Sequence, residues 1–569
     1  MSTRNQQLQE GHTAKAGHRW WSNAATWFYR AIILVFSPYL SPVLQPCKPN
    51  FFSISSAHRV AFSAAAVLTV FLAMNSVVHA NVTPIASDKA PTDITVVPTD
   101  AGNLVIEKEL NPHQISLRMV SPCHNWWMAR LKNLATDSET TISLSMKGMD
   151  GGTNKGNVAK WQGLRPVMTY ANPERYETYE WFTKDEQGRW VSGDPFKQGK
   201  ETRFAGTGEV PEQSVIPKEV AEQFLSSDGK YWSAWREIDH VEAVTALNVF
   251  RCTQRFALPE VTIAMRVPYT YTYLQQFLDR LRTLKLPGVF VDEIGSTKNN
   301  KPIQIVRIES VTISPSKRET ILITAREHAT EPAGSWAAQG MMNRCVMDIM
   351  TKKNTQRTSW LFIPIQDPDG SIASVFDSTT EEFRFENRAY IYPEVFAYTN
   401  YLAQFVNRGR TIDLAVSLHN LEANEGSNLI CPFIDANRID TTSAINQKVS
   451  DEFVNTQFQT NISGKPWDYG QVYFRLFGWC AMLFNSNDLA YEVNDRYPAN
   501  RLTLAQQLQL GDRIGAGLQS WLSSAEGKKV HQQCHQSVAN HCKRREQYFK
   551  QVGRSPSRHL IGELLVYGY

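Results

Sequence analysis

At 569 residues the chain is long enough for roughly two to four domains, which excludes a single small binding module. Its 42% hydrophobic and 20% charged residues support a sizeable core, and no long low-complexity tract marks it as mainly disordered. Lys plus Arg (59) nearly balances Asp plus Glu (55), and the resulting +4 is too weak to point to a nucleic-acid partner.

In chain order, the first feature is an uncharged Ala/Val/Leu/Phe-rich run, Val60 to Met74, preceded by His58-Arg59 and followed by the small-residue pattern Val78-His79-Ala80. This predicts an export signal cleaved near Ala80, within a leader spanning residues 1–80, and so a periplasmic or secreted protein. The run is shorter than the roughly 20 residues that span a bilayer, which makes a membrane anchor through residues 60–78 the alternative and the leader the one place for membrane contact. A second apolar run, Ala31 to Leu44, is broken by Pro38 and Pro42. An early start codon and an unusually long leader explain it equally well.

Seven of the eight cysteines follow Ala80, with no C-x-x-C spacing, so no zinc-finger framework exists. In an exported chain Cys534 and Cys542 are the local candidates for a disulfide, while Cys345 and Cys480 sit among apolar residues as buried thiols. Residues 81–265 alternate short β-prone stretches, such as Thr141 to Ser145 and Leu247 to Cys252, with turn-forming segments such as Gly148 to Gly152. That pattern predicts an antiparallel β-sandwich.

From 266 to 526 the pattern becomes α/β: strand Thr320 to Ala325, helix Glu331 to Met350, strand Trp360 to Ile365, helix Tyr392 to Arg408, strand Ile412 to Leu418, strand Leu489 to Val493 and amphipathic helix Thr503 to Ser523. Between Arg266 and Glu526 the chain contains only two histidines, His328 and His419, each just past a predicted buried strand, where open α/β sheets place their ligands. Glu331 opens the following helix three residues after His328, so the two side chains can converge on one cation. Two imidazoles and a carboxylate are the ligand set of a catalytic zinc site that keeps a position for water, which suggests hydrolysis with one zinc per chain. Glu492, at the end of a third strand, reaches the same rim and can serve as general base; pairing with Arg496 is its structural alternative.

These segments resemble the carboxypeptidase A-like zinc metallopeptidase family, specifically its cytosolic-carboxypeptidase-like branch. The resemblance is carried by TAREHATEPAGSW (Thr324 to Trp336), PIQDPDG (Pro364 to Gly370), Glu386-Asn387-Arg388, Val416-Ser417-Leu418-His419 and Tyr491-Glu492-Val493. Upstream, KWQGLRPV (Lys160 to Val167) and VPYTYT (Val267 to Thr272) resemble the β-sandwich that precedes the peptidase in that branch, so the likeness covers roughly residues 100–525. It implies a mixed-sheet, three-layer α/β/α carboxypeptidase domain. It also implies His328, Glu331 and His419 as zinc ligands, Glu492 as catalytic base, Asn387 and Arg388 on the substrate's terminal carboxylate, and peptide or protein C-termini as partners. Arg384 is the one arginine between Gly370 and Asn387 for polarising the scissile carbonyl. Tyr469 or Tyr473 is the phenol that closes over substrate.

The chain departs from many digestive members at Thr330, where they carry Arg before the glutamate ligand. Arg475 lies in the segment of the specificity pocket and favours acidic side chains if it points inward. Export argues against cytosolic polyglutamylated proteins as substrates and leaves cell-wall or extracellular peptides. A deacylase or amidase on the same zinc scaffold, or a non-catalytic binding protein with a retained peptidase fold, are the alternative functions. The tail, residues 527–569, holds eight Lys/Arg against Glu546 and Glu563. It reads as a basic amphipathic segment, with accessory metal binding by His531, Cys534, His535, His541 and Cys542 the weaker reading.

Overall fold

The computed structural model describes residues 94–120, 126–145, 158–197, 216, 218–351, 358–375, 393–420, 428–432, 439–462, 476–495 and 501–552. All belong to the compact unit Ala90–Tyr569; the unit Met1–Lys89, with the leader, lies outside the described residues.

Period-two patterning builds the N-terminal region. In strand Glu139–Ser145 the side chains of Thr140, Ile142 and Leu144 are buried while their neighbours stay half exposed, so one face meets a second sheet. One five-stranded sheet runs Thr95–Val97, Met128–Lys132, Val261–Ala264, Val167–Thr169, Arg236–Glu237, and the other His240–Val244, Val249–Arg255, Glu139–Ser145, Gln114–Met119, Leu104–Asn111. Their shared core holds Leu117, Trp127, Ile142, Leu144, Trp161, Phe250 and Ile263, with Trp161 and Phe250 edge-to-face at 5.6 Å.

Two details differ from the sequence expectation. Gln114–Met119 pairs parallel to Glu139–Ser145, because the chain crosses into the opposite sheet at Met128–Lys132 before returning. Leu247 falls in a short 3₁₀ turn that ends at Asn248, whose left-handed backbone (φ 52°) turns the chain into strand Val249–Arg255.

The second region comprises α1 (Tyr271–Leu284), β1 (Val289–Ser296), β2 (Pro302–Ile308), β3 (Glu319–Ala325), α2 (Pro332–Met350), β4 (Thr358–Ile363), α3 (Pro368–Ala373), α4 (Pro393–Asn407), β5 (Leu414–Asn420), β6 (Asn428–Pro432), α5 (Ile439–Glu452), β7 (Thr460–Ile462), α6 (Leu476–Phe484), β8 (Asn487–Val493), α7 (Leu504–Leu522) and α8 (Ala525–Val552). The sheet order is β1-β2-β4-β3-β5-β8-β6-β7. Strands β4, β3, β5 and β8 are parallel, β2 and β6 pair antiparallel at either side of this group, and β1 pairs antiparallel with β2, making the mixed sheet expected. Every residue of β3, β4, β5 and β8 is buried, the mark of strands covered on both faces.

Alternate side chains show those faces. Ile321, Ile323, Val416, Leu418 and Tyr491 pack with α1, α2 and α7, whereas Leu322, Leu361, Ala415 and Ala490 pack with α4 and α6. The result is three layers. Helix α7 is started by a capping box, in which Thr503 and Gln506 satisfy each other's backbone N–H groups. It lies so close to α2 that a Cβ on Gly340 would stand 2.0 Å from the Leu508 carbonyl oxygen.

The tail begins as helix α8, whose Val530, Cys534 and Val538 pack into the two cores on either side of the sheet. The local disulfide expected there is not formed. Cys534 and Cys542 are free thiols, eight residues apart on one helix and so about 12 Å apart along its axis, well beyond the ~7 Å limit for a bridge. Among the described residues, the only His/Cys/Asp/Glu trio close enough to hold a metal ion is His328–Glu331–His419, and the tail contributes nothing to it. His531 instead bonds Asp413 at 3.0 Å and stands edge-on to His535. No described helix is long and apolar enough to cross a membrane.

The sandwich and the second region meet along residues 266–273. Arg266 forms an ion pair with Asp495, both fully buried, just past the end of β8. Trp336 of α2 donates its indole N–H to the Val267 carbonyl at 3.1 Å and packs, tilted or edge-on, among Tyr179, Tyr269 and Tyr273, with ring centroids 4.5–5.2 Å apart.

Candidate active site

Strand β3 runs on to α2 and β4 on one side, while β5 lies on its other side, so the order of connections reverses between β3 and β5. A crevice beyond the C-terminal ends of the strands opens at such a reversal. His328 lies in the loop just past β3, Glu331 caps α2, His419 is the penultimate residue of β5, and Glu492 that of β8.

The loop 326–331 is shaped from within. Arg326 takes a left-handed backbone (φ 61°), unusual for a side chain of its size, and turns the chain off the strand. Its buried guanidinium donates to the carbonyls of Ala329 and, at 2.9 Å, Tyr269, tying the loop to the sandwich junction. Burial lowers the Arg326 pKa to about 10 against the opposing fields of Asp100, Glu331 and Asp367, so the group stays charged at neutral pH.

Helix α2 then begins at Pro332, where a missing N–H costs nothing. The small residues after it let the helix press onto β5: a Cβ on Gly334 would stand 2.6 Å from the Leu418 carbonyl oxygen. Asn420 locks the contact. Its side-chain oxygen accepts the N–H groups of Ala333 and Gly334 (3.1 and 3.3 Å), and its own N–H donates to Glu331 Oε2 at 3.2 Å.

The three donors therefore converge. His328 Nδ1 lies 3.0 Å from Glu331 Oε1, His419 Nδ1 lies 3.0 Å from Glu331 Oε2, and the two Nδ1 atoms are 3.2 Å apart. Ligands placed tetrahedrally at about 2.0–2.1 Å from zinc stand about 3.4 Å from one another, so this triangle fits zinc with little adjustment. Two imidazoles and one carboxylate also suit zinc better than calcium or magnesium, which take more oxygens.

Electrostatics favour a cation here. Burial opposes ionisation of Glu331, but the field of His328 and hydrogen bonds to His328 and His419 hold its carboxyl well below the usual carboxylate range. For His419, burial disfavours charge, yet hydrogen bonds to Glu327 and Glu331 and the fields of Glu331 and Glu492 raise its pKa to about 10. A proton on His419 thus occupies the place of positive charge that a metal would take.

Glu492 stands beside His419 in the parallel register of β5 and β8 and, by the alternation of the strands, on the same face of the sheet. Arg384, Asn387, Arg388, Tyr469, Tyr473, Arg475 and Arg496 lie outside the described residues. Thr330 is fully buried beside Glu331. Sequence reasoning missed Glu327 and Asn420. The strand-end position next to each histidine was the one available signal, and it does not separate a buried partner from a surface residue.

Residues 274–390 match the family model for zinc carboxypeptidases. A cytosolic carboxypeptidase 6 of Caenorhabditis elegans is 26% identical over 169 residues, 28% of this chain, and the match spans about a third (36%) of that relative's length. A metallo-carboxypeptidase from Burkholderia cenocepacia shares the fold, with a TM-score of 0.53 at 15% identity over 75% of this chain and 99% of that one. The segment that supplies His328 and Glu331 is therefore similar to the zinc carboxypeptidase family, and the His328–Glu331–His419 trio that could hold a metal lies in a region sharing the fold of a metallo-carboxypeptidase.

Proposed function

We propose that the chain is a zinc metallocarboxypeptidase that removes residues one at a time from peptides or proteins with a free C-terminal carboxylate. The observation that carries this reading is the buried His328–Glu331–His419 triangle at the sheet's reversal, with Glu492 in register beside it. His328, Glu331 and His419 would hold zinc, which would supply Lewis acidity for the scissile carbonyl and for ionisation of water. Glu492 takes the proton of the attacking water and hands it to the leaving amine. Arg388 offers a planar bidentate fork to the substrate carboxylate and Asn387 adds a hydrogen bond, which fixes the bond to be cut. Arg384 steadies the oxyanion and Tyr469 closes over the substrate. The roles of these last four residues rest on the sequence resemblance.

Amidating the C-terminus of a test peptide removes the charge that Arg388 grips and is expected to abolish cleavage. Equal cutting of free and amidated peptides, or cleavage at an internal bond, overturns the proposal in favour of a deacylase or amidase; zinc without turnover on any peptide points to a binding protein. A series ending in Glu, Lys, Phe and Ala reads side-chain preference, with Arg475 favouring Glu.

We also propose that Val60 to Met74 exports the protein to the periplasm or beyond, where cell-wall or extracellular peptides are its substrates. N-terminal sequencing of envelope or secreted protein is expected to start near Asn81. Cytosolic protein that keeps the intact leader contradicts this.

A further inference from the structure

Glu327 takes no part in the chemistry described so far, yet its carboxylate is fully buried at the centre of the site. Its Oε2 lies 3.4 Å from His419 Nε2 and 3.4 Å from Ser417 Oγ, and Ser417 Oγ lies 3.0 Å from the same Nε2. The far side of the His419 ring is thus faced by a hydroxyl and a carboxylate, while its near side, Nδ1, faces His328 and Glu331.

From this arrangement, and resting on the zinc reading above, we infer that Glu327 is a positioning residue for His419. The Nε2–H donates to Ser417 Oγ and toward Glu327 Oε2, and the Ser417 hydroxyl passes its own hydrogen to Glu327. With the proton fixed on Nε2, the Nδ1 lone pair is left for the metal and the ring cannot swing out of the ligand triangle. The carboxylate also makes the imidazole a stronger donor, since its negative charge favours electron density moving toward the metal.

The chain has an unusual way of placing this partner. Glu327 and His328 are consecutive, so one loop delivers a ligand in one direction and the support for a different ligand in the other. The left-handed backbone at Arg326, immediately before them, sets that divergence.

The test is zinc affinity by competition with a chelator on the full chain, for wild type, Glu327→Gln, Glu327→Leu and Ser417→Ala. Melting temperatures of the zinc-free forms are recorded alongside. Gln keeps the shape and one acceptor but not the charge, and Leu keeps neither. Affinity is expected to fall about 10- to 100-fold in Glu327→Gln, further in Glu327→Leu, and only several-fold in Ser417→Ala, where the carboxylate still reaches Nε2. Glu327→Asp, with its charge retained on a shorter arm, is expected to recover part of the loss. A purely structural role would lower the zinc-free melting temperature and leave the affinity of folded protein unchanged, overturning the inference. If wild type holds one zinc and the Glu327 variants hold it within twofold, the inference alone fails. A wild type that holds no zinc brings down the metal reading itself.

Discussion

Replacing Glu492 by Gln will lower turnover by at least about 100-fold while the protein keeps about one zinc per chain. Gln preserves the volume and hydrogen-bonding reach of the side chain at a buried position in β8, so the strand and its register with His419 should survive. What disappears is the capacity to accept a proton from water and return it to the amine. Steady-state rates on a blocked peptide with a free carboxylate, with zinc measured on the same sample, separate this from loss of metal. Substrate binding should persist, visible as protection of the inactive enzyme against thermal unfolding. A Glu492→Gln enzyme within tenfold of wild type removes Glu492 from the mechanism.

Loss of His419 is expected to act one step earlier, on the metal. Zinc sites of four ligands are worth roughly 10–16 kcal/mol, so deleting one ligand removes about 3 kcal/mol and weakens zinc at least about 100-fold, with activity lost in parallel. His419→Ala also leaves Glu327 and Glu331 buried beside a void, at a cost of several kcal/mol. His419→Gln fills the space and keeps a polar contact, so it reports on zinc where the alanine variant unfolds. Full zinc retention in a folded His419 variant would show that the metal sits elsewhere.

Much of the second domain could be read from the chain because its elements are written in patterns of local origin. The apolar runs at Thr320 to Ala325 and Leu489 to Val493 are strands buried on both faces, and period 3.6 from Thr503 marks an amphipathic helix. The scarcity of histidine made His328 and His419 conspicuous, and the spacing to Glu331 did the rest. What escaped depends on contacts between segments far apart in sequence. Asn420 acts because α2 starts against it, and Arg266 acts because Asp495 comes to meet it. The parallel strand pair in the sandwich follows from a crossover that alternation does not encode. The cysteines of the tail were close in sequence, but a continuous helix holds them apart.

The Arg266–Asp495 ion pair bears on how such a protein can be divided or recombined. One partner stands in the junction just after the last sandwich strand and the other three residues past Glu492, and neither is open to solvent. Severing a buried pair by removing one side costs about 3–5 kcal/mol, a large share of the roughly 5–15 kcal/mol that keeps a domain folded. Cut downstream of Arg266, the second region would lose this ion-pair partner of Asp495 close to Glu492. A graft that replaces the sandwich through Arg266 therefore has to bring an arginine to that place.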